Sequence, residues 1–337
     1  MAGYREKIIY GLSKGISFIP TPLLIKLTQQ DLILPFYHTI SDEEMPHIKH
    51  LYPIKGVKAF IKDLDFLLMH FNPIDYSDFL DLFYKKQKPR KPSFLLSFDD
   101  GLKEFHDVIA PILLQKGIPA ICFLNSGFID NQDLFYRYKS SLLIDKIKTE
   151  PKLIAKISDL FEASSNITQN ILSVQFQNKD VLDNIAKRID YDFNDFLSTE
   201  SPYLNSEQIN SLISKGFHFG AHSINHPEYQ YIELQEQIRQ TKESVQFVSR
   251  KFSLENKIFS FPFTDFNVSK QFFSHLSEKK IVDITFGCAG QKKETIPNHF
   301  QRIPLEMNNL SGKQIINGEL FYYLLKMPFG KNIINRS

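Results

Sequence analysis

The sequence predicts an α/β protein built on a parallel, barrel-like sheet, and three observations carry that reading. From residue 31 onward, short apolar segments alternate with segments of helical periodicity, the pattern of repeated βα units. The alternation lapses over residues 134–200 and then resumes, as expected of one sheet interrupted by an insertion. The residues best suited to chemistry directly follow apolar strands, at the strand ends where barrel active sites are built.

Taken in order, residues 1–30 place Arg5, Lys7 and Lys14 around a short apolar run, Ile8 to Leu12. That run is too broken for a secretory signal. A helix docked on the barrel is the expected reading, with a basic amphipathic segment touching a membrane surface as the other. Leu32–Tyr37 reads as a buried strand. Val57, Phe60, Ile61, Leu64 and Leu67 fall at helical spacing and predict a helix over 57–70. Ser93–Phe98 is a strand, followed by a helix from Leu102 to Lys116 that Gly117-Ile118-Pro119 stops. Ala120–Leu124 is the next strand. The polar stretches Leu142–Lys148, Pro151–Glu162 and Asp180–Arg188 then read as helices with no strand between them. Asn205 with Gln208 three residues on forms a capping-box pattern, and the helix it starts ends at Gly216. Strands at Phe217–Ala221, Ile258–Phe261 and Asp283–Phe286 alternate with helices at Leu234–Phe252 and Val268–Lys280. The expected organisation is a helical segment over 1–30, a barrel over 31–310 interrupted by a helical insertion at 131–204, and a C-terminal helix or tail over 311–337.

Composition removes several classes of function. Forty Lys+Arg against 38 Asp+Glu leave a formal charge of +2, without the basic excess of a nucleic-acid protein. The two cysteines, Cys122 and Cys288, lie far apart, so neither a disulfide framework nor a cysteine zinc site is expected. Their reduced state suits a cytoplasmic location. No apolar run of about 18 residues occurs, so no transmembrane helix is expected. No GxGxxG or GxxxxGK[ST] pattern supports a nucleotide cofactor.

Three strand ends remain. Phe98-Asp99-Asp100-Gly101 sets two adjacent carboxylates after an apolar strand, which is costly unless positive charge lies beside them. One Asp could cap the following helix; the second would stay unexplained. His222-Ser223-Ile224-Asn225-His226 spaces two imidazoles at i and i+4, a chelating spacing. With Asp100 they make a two-His-one-carboxylate set, suited to Zn²⁺, with Fe²⁺ or Co²⁺ as alternatives. His38 ends the first strand, but in a chain of ten His residues it is unremarkable by itself. His47, His50, His70, His106, His275 and His299 read as incidental, and His218 as sheet-facing.

These motifs together resemble the polysaccharide deacetylase family, the NodB-homology or carbohydrate esterase 4 group. Pro35-Phe36-Tyr37-His38 and Phe261-Pro262-Phe263 are similar to the permuted branch containing poly-N-acetylglucosamine deacetylases. The resemblance implies a distorted (β/α)₇ barrel and one divalent metal, Zn²⁺ first, with Fe²⁺, Co²⁺ or Ni²⁺ as alternatives. It further implies Asp100, His222 and His226 as ligands, Asp99 as general base and His38 as general acid. The backbone N–H of Phe263 would hold the oxyanion. Three features depart from the family. Phe263 stands where Tyr is usual, a change that a backbone donor survives. Thr264 stands where Gly is usual, which could restrict the loop, and the Arg that supports the base is missing beside that motif. Arg302 could supply the charge, or could equally form a surface salt bridge. The activity implied is removal of acetyl from an N-acetylated sugar or glycan, a carbohydrate partner with no nucleic acid. The alternatives are a metal-dependent deacylase acting on a small amide, imide or O-acyl ester, and a non-catalytic glycan-binding barrel. The insertion carries none of these residues, so its expected role is substrate choice.

Overall fold

Strands β1 (Pro35–Tyr37), β2 (Leu96–Phe98), β3 (Ala120–Leu124), β4 (His218–Ala221), β5 (Ile258–Ser260) and β6 (Ile284–Gly287) pair in parallel in chain order. A seventh, β7, runs as His299–Gln301 on β6 and then Ile303–Pro304 on β1, so the ring closes at residues 299–304. Pairing between β4 and β5 is reduced to Ala221 opposite Phe259, and this thin seam distorts the barrel. The computed structural model describes residues 2–16, 18–161, 166–307 and 310–336, with the side chains of 2–6 and 14 left aside.

The helices are α1 (Ala2–Gly15), α2 (Thr21–Thr28), α3 (Val57–His70), α4 (Tyr76–Tyr84) and α5 (Ala110–Lys116). Between β3 and β4 come α6 (Tyr136–Thr149), α7 (Ile167–Ser173), α8 (Asp180–Arg188), α9 (Phe193–Glu200) and α10 (Ser206–Ser214). Then follow α11 (Leu234–Lys251), α12 (Lys270–Glu278) and α13 (Gly312–Lys326). The capping box at Asn205 and Gln208 forms as the sequence suggests, and Ser311 with Gln314 makes another at α13. The stretch expected as a helix at Pro151–Glu162 is a pair of 3₁₀ turns, Pro151–Lys156 and Ser158–Leu160; its last residue, Glu162, lies outside the described residues.

Two departures bear on the site. The helix expected from Leu102 begins late: residues 100–103 form a turn, Phe105–Ile109 is π-helical, and the α-helix proper is Ala110–Lys116. Asp100 (φ 73°) and Gly101 (φ 66°) take left-handed conformations that no helix can contain. The expected strand Ser93–Phe98 is split. Its first two residues join Leu32–Ile33 and Asn72–Pro73 in a small parallel sheet, and only Leu96–Phe98 enters the ring.

Among the described residues, buried apolar side chains form three cores. One lies between strands and outer helices. A second joins the helices between β3 and β4 to Met45 and Ile48 of the loop after β1 and to Leu102 of the turn after β2. The third is the barrel interior, where Ile121, Phe123, Ile258, Ile284 and Phe286 meet Tyr76 and Phe79 of α4. α1 and α2 pack on α13, where Thr21 Oγ1 donates to Asn317 Oδ1 at 2.9 Å. Among the described residues, no helix is long and apolar enough to cross a membrane.

Candidate active site

The parallel ring delivers β1, β2, β4 and β5 to one end, and the residues after them converge there. Asp99, Asp100, His222 and His226 are all buried, with 1–6% of their surface exposed. His222 Nδ1 lies 2.9 Å from the Ser260 carbonyl, so that nitrogen carries the proton and Nε2 presents its lone pair inward. Burial, aided by His226, pushes His222 down to about 4 despite the nearby Asp99 and Asp100, and the ring is neutral at physiological pH.

Three donor atoms then face one point. His226 Nε2 is 3.1 Å from Asp100 Oδ1 and 3.2 Å from His222 Nε2, while His222 Nε2 is 3.5 Å from the same Oδ1. Asp100 Oδ1 is buried and accepts no hydrogen bond from the described residues. An ion bound tetrahedrally at about 2.0 Å has ligands about 3.3 Å apart. The triangle matches that spacing, and an orphaned buried carboxylate oxygen aimed into it is what a cation would satisfy. The residues fit a divalent metal.

Asp99 faces elsewhere. Arg302, 1% exposed, donates from both terminal nitrogens to its carboxylate, at 2.8 Å to Oδ1 and 2.7 Å to Oδ2. Of the two readings of Arg302 in the sequence, the structure holds the buried pair with the base candidate. Burial alone would raise the Asp99 carboxyl, but Arg302, with His222 and His38, outweighs it and holds Asp99 below the ordinary carboxylate range. Arg302 also donates to Ser97 Oγ at 3.0 Å and lies over the Phe36 ring at 4.2 Å. Its position follows from the break in β7, where its own N–H and Nε both reach the Gly287 carbonyl.

His38 is the partly exposed member, with 31% of its side chain accessible. Its Nδ1 sits 2.6 Å from Glu306 Oε2, and the same carboxylate accepts the backbone N–H groups of His38 and Thr39. Burial by itself lowers the imidazole, yet Glu306, with Asp100 and Asp99, raises it to about 9. Sequence reasoning missed Glu306. It has no local motif and reaches His38 only because β7 runs beside β1, with Leu305 N–H bonded to the Phe36 carbonyl.

Phe263 takes φ 55° and is 39% exposed, and its N–H has no protein acceptor among the described residues. Thr264 does not adopt a left-handed φ, so a Gly there is not required; the conformational demand falls on Phe263. Asp100, Ser223, His226 and Phe263 all have positive φ, concentrating backbone strain around the donor triangle. A second carboxylate–histidine group, Asp265, Glu294 and His299, is already served by a cation of the chain. Arg336 pairs with Asp265 and donates to Glu294 Oε2 at 2.8 Å.

A family model described as polysaccharide deacetylase matches residues 86–278. Among solved structures, the chain is similar to the Streptococcus pyogenes deacetylase PplD in complex with acetate (12% identity, TM-score 0.56, covering 86% of this chain and 97% of that one). It is also similar to IcaB from Ammonifex degensii (11% identity, TM-score 0.54, 86% and 97% covered). A third is the de-N-acetylase from Aggregatibacter actinomycetemcomitans (14% identity, TM-score 0.51, 81% and 94% covered). At these identities the likeness is one of fold. No curated protein matches the chain.

Proposed function

The chain belongs to the polysaccharide deacetylase family, hydrolases of carbon–nitrogen bonds in N-acetylated sugars, and from that premise we propose a metal-dependent enzyme that removes acetyl groups from an N-acetylated sugar or glycan. One observation carries the reading: two adjacent carboxylates divide their work, Asp100 facing two imidazole nitrogens and Asp99 facing a buried guanidinium. Asp100, His222 and His226 would hold the ion, Zn²⁺ first, with Fe²⁺, Co²⁺ or Ni²⁺ suited to the same donors. Such an ion polarises the acyl carbonyl and makes water acidic enough to lose a proton near neutral pH.

The remaining work falls to side chains and backbone. Asp99, kept ionised by Arg302, takes the proton of the attacking water at its carboxylate. Its Oδ2 lies 4.0 Å from His222 Nε2, beside the donor triangle. The Phe263 N–H donates to the acyl oxygen as that oxygen gains negative charge. His38, kept protonated by Glu306, gives its proton to the sugar nitrogen, which cannot depart as an anion.

The test is a metal assay followed by acetate release from N-acetylglucosamine oligosaccharides. Purified protein is expected to carry about one metal equivalent, and His222→Ala or His226→Ala to lose both metal and acetate release while circular dichroism stays unchanged. If both single variants copurify with a full equivalent, the ligand assignment is wrong. A cytoplasmic location belongs to the same proposal, in keeping with two cysteines that form no disulfide. So does peripheral membrane contact, supported by Phe18, Leu23 and Leu27, exposed beside Lys26. Co-sedimentation with anionic vesicles, lost when Leu23 and Leu27 become Asp, is the expected result; unchanged pelleting would remove that contact.

A further inference from the structure

The segment between β3 and β4 does more than stand over the ring. Tyr138 of α6 is 1% exposed and its hydroxyl lies 3.2 Å from Asp100 Oδ2. As the only proton donor of that pair, the phenol donates to the carboxylate. The two oxygens of Asp100 therefore have separate partners: Oδ2 is held by Tyr138, and Oδ1 is left to face His222 and His226. Three residues earlier, the ring of Phe135 packs edge-on against His226 at 4.4 Å between centroids.

The far end of the same segment grips the turn that carries Asp100. Leu204 N–H donates to the Gly101 carbonyl at 2.9 Å, Lys103 N–H donates to the Pro202 carbonyl at 2.9 Å, and Leu102 and Tyr203 form an antiparallel bridge. This is the turn whose residues 100 and 101 are both left-handed, a conformation that disfavours a non-glycine residue such as Asp100 unless its surroundings hold it. The two grips are joined, because Phe135 N–H donates to the Tyr203 hydroxyl at 3.0 Å. One end of the segment fixes the carboxylate and the other fixes its backbone.

We propose that α6 is part of the metal centre, with Tyr138 as a positioning residue that holds Asp100 so that Oδ1 is presented to the ion. The inference rests on the metal reading of Asp100, His222 and His226. Its physical basis is general. A ligand carboxylate whose second oxygen is hydrogen-bonded is already oriented before the ion arrives, and loss of such a partner weakens binding by about 10–100-fold. A cap that only selected substrate would leave the affinity for the metal untouched.

The experiment measures Zn²⁺ binding alone, with no substrate, by competition against a chelating indicator, for the full chain and for Tyr138→Phe. The Phe variant keeps the ring and removes only the hydroxyl. Tyr191→Phe, elsewhere in the same segment, is the control. Tyr138→Phe is expected to bind Zn²⁺ about 10–100-fold more weakly, with a changed visible spectrum when Co²⁺ replaces zinc, while Tyr191→Phe matches wild type. Thermal melts of the metal-free proteins separate this from unfolding, since the apo melting temperatures should agree. Tyr138→Phe with wild-type zinc affinity and an unchanged cobalt spectrum would overturn the inference while leaving the metal reading intact. Wild type that binds no stoichiometric zinc or cobalt would overturn the metal reading itself, and the inference with it.

Discussion

Asp99→Asn is expected to retain its metal and lose about 10²–10⁴-fold in turnover, the usual cost of removing a general base. The substitution is nearly isosteric, and the amide oxygen can still accept from Arg302, so the buried guanidinium keeps part of its partner. What disappears is the ability to take a proton. Asp100, His222 and His226 are untouched, so metal content should stay at the wild-type level. Arg302 makes the prediction sharper. Because it holds Asp99 below the ordinary carboxylate range, the base is ionised throughout neutral pH. Protonation of Asp99 can therefore limit activity only on the acid side, below the usual carboxylate pKa of about 4. Arg302→Met should move that acid limb upward, since it leaves the Asp99 carboxylate buried and unpaired. Metal assay and kcat against pH decide the matter. An Asp99→Asn protein that loses its metal would instead make Asp99 a ligand, and one that keeps full turnover would end its role as base.

Most of what carries this prediction was legible in the sequence, and the exceptions have physical causes. The helix Val57–His70 forms over the residues its apolar spacing marks, because one periodic face meets one core. β3 is equally plain, since a strand covered on both faces is a continuous apolar run. α4 escaped notice because Tyr76–Tyr84 is short and polar on its outer side; only its cap at Asp75 signals a start. β7 is harder still. Its two halves flank Arg302 and end at Pro304, features that argue against a strand, and the pairing that makes it one is contributed by β6 and β1. Asp99, Asp100, His222 and His226 could be read because each follows its strand within a short motif. Glu306 and Tyr138 could not. Each meets its partner through chain closure or packing, and neither has a spacing that announces it.

His38 gives the second large effect, and it separates chemistry from packing by the choice of leaving group. His38→Ala is expected to lose about 10²–10⁴-fold on an N-acetylated amino sugar and far less on an aryl acetate. An amine must be protonated to leave, whereas a phenolate departs unaided. The pH profile supplies the sign. The folded-state pKa of His38 is raised to about 9, chiefly because Glu306 outweighs the effect of burial. The imidazolium is therefore present across neutral pH and is lost as pH rises through that value. Amide turnover should fall on this alkaline limb while aryl acetate turnover does not follow it. Glu306→Gln removes the carboxylate at 2.6 Å and should bring the limb down towards the ordinary histidine value of about 6.5, because burial is then opposed only by Asp99 and Asp100. Equal losses on the two substrates in His38→Ala would mean that the ring merely packs at the end of β1. An alkaline limb unmoved by Glu306→Gln would mean that some other group supplies the proton.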